Sequence, residues 1–166
     1  LFLDTDGENV EYARMRWVYN FLLLIFAVPG LVFFLLKMLI TGKYRQSFLQ
    51  KLGARQKHIL EALPEGRRVW IHAVSVGEVT AAAPIVAALK KQRPEVQIIF
   101  STSTETGQGM ARKLAAGADA FIYFPLDFPF AVNKMLTLGR PDVFVLVETE
   151  LWPNLLAACR RRGKHD

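Results

Sequence analysis

Apolar and polar positions follow two different regimes along this chain. From Trp17 to Leu36 twenty consecutive residues, WVYNFLLLIFAVPGLVFFLL, carry no charge. Beyond Arg67 the pattern breaks into short apolar runs separated by stretches of helical character. Twenty helical residues at about 1.5 Å rise cover the roughly 30 Å hydrocarbon core of a bilayer. The Pro29-Gly30 pair would disrupt a soluble helix but is tolerated in a membrane one. Trp17, Tyr19 and Tyr44 stand near the two ends, where aromatic rings favour the interface. Arg14 and Arg16 precede the run, whereas Lys37, Lys43, Arg45, Lys51, Arg55 and Lys57 follow it. That asymmetry places the C-terminal side in the cytoplasm. A cleaved signal peptide is a poorer reading, because signal cores run to about 7–15 residues and no small-x-small site follows. An interfacial helix or a long buried core helix remain as alternatives. The expected layout is a tail at 1–16, a membrane-anchor helix at 17–40, a basic juxtamembrane linker at 41–66 and a Rossmann-like domain at 67–166.

That last segment reads as repeated βα units. Val69–Val74 is a strand followed by Ser75-Val76-Gly77 and an alanine-rich helix to Lys91. Pro84 interrupts that helix, so regular turns are predicted to begin only just before it. Val96–Phe100 is the second strand, and the polar loop STSTETG leads into a helix ending near Gly117. Thr102 and Glu105 have capping-box spacing. Ala120–Phe124 is the third strand, with PLDFP and a helix to Gly139 behind it. Asp142–Val147 is the fourth, and a helix from about Pro153 to Arg162 closes the series. Strands alternating with helices predict an α/β fold with a parallel sheet and right-handed crossovers. Ligands in such sheets bind beyond the carboxyl ends of the strands. Four loops qualify: Ser75–Glu78, Ser101–Gly107, Pro125–Pro129 and Glu148–Trp152.

Composition narrows the classes. Of 166 residues 52% are hydrophobic and 22% charged, which argues against disorder. The net charge of +6 suits anionic lipid, phosphorylated ligands or nucleic acid without choosing among them. A single cysteine, Cys159, excludes an internal disulfide framework and multi-cysteine metal sites. His58, His72 and His165 lack metal-ligand spacing, so no metal is expected. Cys159 and His72 read as packed residues.

The chemistry-bearing residues gather in the four loops. Gly77, just after the first strand, lets backbone approach a ligand, and amides of the following helix start favour anions or sugar oxygens. Glu78 at the same position complements the helix dipole, or acts as a general base if its environment raises its pKa. Glu148 and Glu150 end the fourth strand, where alternation would send only one of them to a given face. Solvated or capping roles suit them equally as bare residues. The hydroxyls of Ser75, Thr102, Thr104 and Thr106, with Gly107, could hold sugar or phosphate, or simply cap a helix. The chain has neither a Walker loop nor a dinucleotide glycine fingerprint.

The strings WIHAVSVGEV, STSTETG, YFPLDFP and VETELWPNLLAACRRRG, in this order and spacing, resemble the successive blocks of the bacterial 3-deoxy-D-manno-octulosonic acid (Kdo) transferases. The resemblance covers about Tyr44 to Gly163. It implies the N-terminal half of a GT-B glycosyltransferase, in which two Rossmann-like halves flank the active site. It implies transfer of Kdo from CMP-Kdo to a lipid A precursor, lipid IVA, at the cytoplasmic face of the bacterial inner membrane. Neither cofactor nor metal is implied, and nucleic acid is not a partner. Glu78 matches the family's proton acceptor and Glu148 a transition-state stabiliser. Ser75, Gly77, Thr102, Thr104, Thr106, Gly107 and Glu150 are then expected on the acceptor side. Lys164-His165-Asp166 departs from the family's hydrophobic strand, so truncation before a donor-binding half is expected. The rival readings are another membrane-associated GT-B transferase and a non-catalytic module that binds the lipid acceptor.

Overall fold

A computed structural model of the chain describes residues 14–30, 56–147 and 152–163. Two compact units divide it: Leu1–Arg45 with Pro153–Asp166, and Gln46–Trp152. The larger unit holds helix α2 (Lys57–Glu61), strand β1 (Arg68–His72), α3 (Val76–Gln92), β2 (Gln97–Thr102), α4 (Glu105–Leu114), β3 (Ala120–Tyr123), α5 (Pro129–Gly139) and β4 (Val143–Leu146). The smaller unit contains helix α1 over residues 14–30 and α6 (Pro153–Arg162).

All sheet pairings are parallel, in the order β3-β2-β1-β4. Successive units thus step outward from β1 through β2 to β3, and the chain then crosses back to place β4 on the other side of β1. The order reverses between β1 and β4, which makes their carboxyl ends the crevice of a doubly wound sheet. The α/β expectation stands as a four-stranded parallel sheet.

Helices cover both faces, as apolar strands require. On one face Val79, Ala82 and Val86 of α3 and Ala111 and Ala115 of α4 pack with Ile71, Ile98 and Phe100. Their three- and four-residue spacing makes one apolar stripe per helix. On the other face Trp70 sits among Phe124 and Phe144, with ring centroids at 6.5 and 5.2 Å. A Cβ built on Gly139 of α5 would come 3.5 Å from the Trp70 ring, so α5 lies directly over it.

Below the sheet's amino ends, Arg68 is a buried cation satisfied by carbonyls. Its guanidinium donates to Gly139 O at 3.0 Å, Pro64 O at 3.1 Å and Leu63 O at 3.3 Å. Those bonds join the chain entering β1 to the carbonyl end of α5, where a cation also suits the helix dipole.

Several boundaries differ from the sequence reading; β1 ends at His72 instead of Val74, and α4 at Leu114 instead of near Gly117. Helix α3 begins at Val76 and runs through Pro84, not from just before it. A complete capping box at Ser75 and Glu78 sets the start, and it outweighs the single backbone bond that proline removes. Strand β2 continues through Ser101 and Thr102, both buried. Helix α4 accordingly takes Thr104 as its cap, instead of Thr102. Of the expected anchor at 17–40, the part within the described residues belongs to the helix over 14–30. Among the described residues, no helix is long and apolar enough to cross a membrane.

Candidate active site at the carboxyl edge of the sheet

Glu78 occupies the third position of α3 and folds back over the chain that leaves β1. Its Oε2 accepts from the Val74 N–H at 2.7 Å and its Oε1 from the Ser75 N–H at 3.0 Å. In return the Glu78 N–H donates to Ser75 Oγ at 3.3 Å. Ser75 is therefore the N-cap of α3, and the carboxylate is partly buried at the C-terminal edge of the sheet. A carboxylate offers about four acceptor positions, so two backbone bonds do not exhaust it. Gly77 is exposed beside it, and an added Cβ would meet only Ser75 Oγ, at 3.8 Å.

In the neighbouring loop the hydroxyls cap a helix, one of the two roles the sequence left open. Thr104 Oγ1 accepts from the Gly107 N–H at 3.0 Å, Thr106 Oγ1 lies 3.4 Å from Thr104 Oγ1, and Thr102 Oγ1 donates to Thr104 O at 3.3 Å. Thr102 is buried, whereas Thr106 is exposed. Gly107 is where the two loops touch. A Cβ there would fall 2.8 Å from Thr104 Oγ1 and 3.4 Å from Val74 O. Residue Val74 is thus held from two sides, by Glu78 on its N–H and by the close approach of α4 on its carbonyl.

Under this edge lies His72, the last residue of β1. Its ring stacks on Phe124 at 3.8 Å, and its Nδ1 lies 3.1 Å from Ser101 O and 2.9 Å from Ser101 Oγ. Ser101 Oγ also accepts from Trp70 Nε1 at 2.7 Å. Burial pulls the His72 pKa down to about 4, against smaller opposing effects of the Ser101 hydrogen bond and the Glu78 charge. The imidazole is therefore neutral at pH 7, packed as the sequence suggested.

The β3–α5 loop contributes features that the sequence reading left unnamed. Asp127 is a buried carboxylate there, and Phe128 stacks on Phe130, whose ring is 62% exposed. The string YFPLDFP marks the loop, but no local pattern marks Asp127 as buried. Glu148 and Glu150 lie outside the described residues. The chain enters their segment from Val147, whose N–H donates to His72 O at 3.1 Å. Among the described residues no cluster of His, Cys, Asp or Glu could hold a metal ion.

Residues 45–165 match the profile of the 3-deoxy-D-manno-octulosonic-acid transferases. The chain belongs to the Kdo transferase family. It corresponds to the family's N-terminal region. A Kdo transferase of Haemophilus influenzae is 35% identical over 141 residues, which cover 85% of this chain and 32% of that protein. One from Bordetella pertussis is 38% identical over 103 residues, 60% of this chain and 24% of the relative. One from Chlamydia pneumoniae is 31% identical over 141 residues, 84% of this chain and 31% of the relative. The chain therefore spans about a third or less of the length of these Kdo transferases.

Proposed function

We propose that this chain forms the acceptor-side half of a GT-B Kdo transferase, which transfers Kdo from CMP-Kdo to lipid IVA with inversion. The observation that carries this reading is the position of Glu78, a carboxylate fixed by two backbone N–H groups beside the point where strand order reverses. Ligands of doubly wound sheets collect there. Kdo transfer by relatives over most of this chain supplies the reaction class.

Glu78 takes the proton from the attacking sugar hydroxyl of the acceptor. The oxygen then forms its bond to the anomeric carbon of Kdo from the face opposite CMP. CMP departs with the electron pair of the breaking bond, and the configuration inverts through an oxocarbenium-like state. Hydrogen bonds from the Val74 and Ser75 N–H groups hold the Glu78 carboxylate in place for that role. Glu148 stabilises the developing charge, and Glu150 with the Thr104–Gly107 loop bounds the acceptor side. The apolar stretch that includes α1 associates with the inner membrane, where the lipid acceptor resides.

The deciding experiment is Glu78→Gln in a protein carrying both halves of the fold. Transfer per folded molecule should fall about 10²–10⁴-fold, the usual weight of a general base. Near-normal turnover in a folded variant would reduce Glu78 to a helix cap.

A further inference from the structure

Helix α1 is apolar almost all round, yet its exposure is not uniform. Arg16, Tyr19, Asn20, Leu23 and Ala27 are half-buried, while the other residues from 14 to 30 are exposed. Steps of three and four residues place those five on one stripe, so the helix is held at a defined rotation. Asn20 lies on the stripe and meets Asn154 of α6, 134 positions away. Asn20 Nδ2 donates to Asn154 Oδ1 at 3.2 Å, and Asn154 Nδ2 donates to Asn20 Oδ1 at 2.7 Å. The pairing is reciprocal, so it survives exchange of nitrogen and oxygen in both amides together. Asn154 is only 4% exposed, on the same side of α6 as buried Ala158, four residues on.

Such a pair discriminates strongly between registers. A shift of α1 by one residue rotates the amide by about 100° and moves it about 1.5 Å, which breaks both bonds and leaves a buried amide without its partner. Amides between apolar helices serve in this way as register-specifying contacts.

We propose that Asn20 and Asn154 form a polar clasp that fixes the depth and rotation of the apolar helix at a lipid surface. The proposal rests on the reading above that α1 meets a bilayer, and both asparagines are positioning residues within it.

Two measurements on the chain, in a Cys159→Ala background, test the clasp. Asn20→Cys with Asn154→Cys should cross-link efficiently with the shortest bifunctional methanethiosulfonate, whereas Val18→Cys with Asn154→Cys should not. Equal yields would overturn the pairing. Depth is then read from Trp17, which is 77% exposed and one turn from Asn20. Its emission, taken as the difference from the Trp17→Phe variant, is quenched by vesicles of phosphatidylethanolamine and phosphatidylglycerol brominated at successive acyl positions. The parent should show one quenching maximum. Asn20→Ala and Asn154→Ala should each broaden the profile and shift it toward the headgroups, and Asn20→Ala carries the result if Asn154→Ala does not fold. An unchanged profile in folded variants would overturn the positioning role. Absence of any Trp17 quenching in the parent would instead remove the membrane reading, and the positioning role with it.

Discussion

The Glu78 carboxylate accepts the Val74 N–H at 2.7 Å, while the Val74 carbonyl faces Gly107 of the next βα unit. Glu78 Oε1 also accepts the Ser75 N–H at 3.0 Å, and that N–H shares a peptide plane with the Val74 carbonyl, so one plane connects the acid of the first loop to the glycine of the second. Removing the acid should weaken the start of α3 whatever happens to catalysis. Glu78→Ala should cost about 0.5–2 kcal/mol by denaturant titration, the range for a lost cap. No loss of stability would mean that the capping box contributes nothing in solution.

Gly107→Ala is expected to disturb that plane from the opposite side. The added methyl would force Thr104 Oγ1 off its bond to the Gly107 N–H and press on Val74 O. A destabilisation of about 1–2 kcal/mol should follow, against the small gain alanine usually brings to a helix. Gly109→Ala is the control, because nothing lies within 4 Å of a Cβ there. It should be neutral or stabilising.

Arg68 offers a test remote from the site. Arg68→Ala leaves the carbonyls of Leu63, Pro64 and Gly139 without their donor and opens a cavity. The expected loss is about 2–4 kcal/mol in a urea melt. Transfer per folded molecule should not change in a protein carrying both halves, since these bonds lie at the opposite end of the sheet from Glu78.

Stability should also depend on pH through His72. Its pKa is about 4 in the folded chain against 6.5 as a free imidazole, so the unfolded chain binds more protons between those values. Stability is fully present above pH 6.5 and declines as pH falls toward 4, by about 3 kcal/mol in total. Carboxylates titrate over part of this window, so the informative quantity is the difference between the chain and His72→Phe. Parallel curves for the two proteins would show that burial does not suppress the charge.

Much of this arrangement was readable from pattern. Pro153 and Arg162 bound α6 where Pro at a first turn and a closing arginine run suggested. Glu78 lies in the first turn of α3 as expected, although its reciprocal cap with Ser75 was not read from the spacing. Strand ends were harder, because Ser101 and Thr102 look like loop residues by polarity. They continue β2 because Trp70 and His72 engage the Ser101 hydroxyl, a contact set by tertiary packing that no local rule encodes. For the same reason the cap moved from Thr102 to Thr104. Asn20 is the lone amide in the uncharged run, an anomaly visible in the string, but its partner 134 positions later was not.

The bond from the Trp70 indole to Ser101 has a practical consequence. A fluorophore shielded from water and tied to a hydroxyl on the adjacent strand should emit toward the blue and resist aqueous quenchers such as iodide. Trp17, by contrast, should be quenched freely in the absence of lipid. With the third tryptophan, Trp152, replaced by Phe, the chain carries its own optical gauge, one lamp inside the sheet and one on the apolar helix, by which loosening of the sheet could be told apart from movement at the surface.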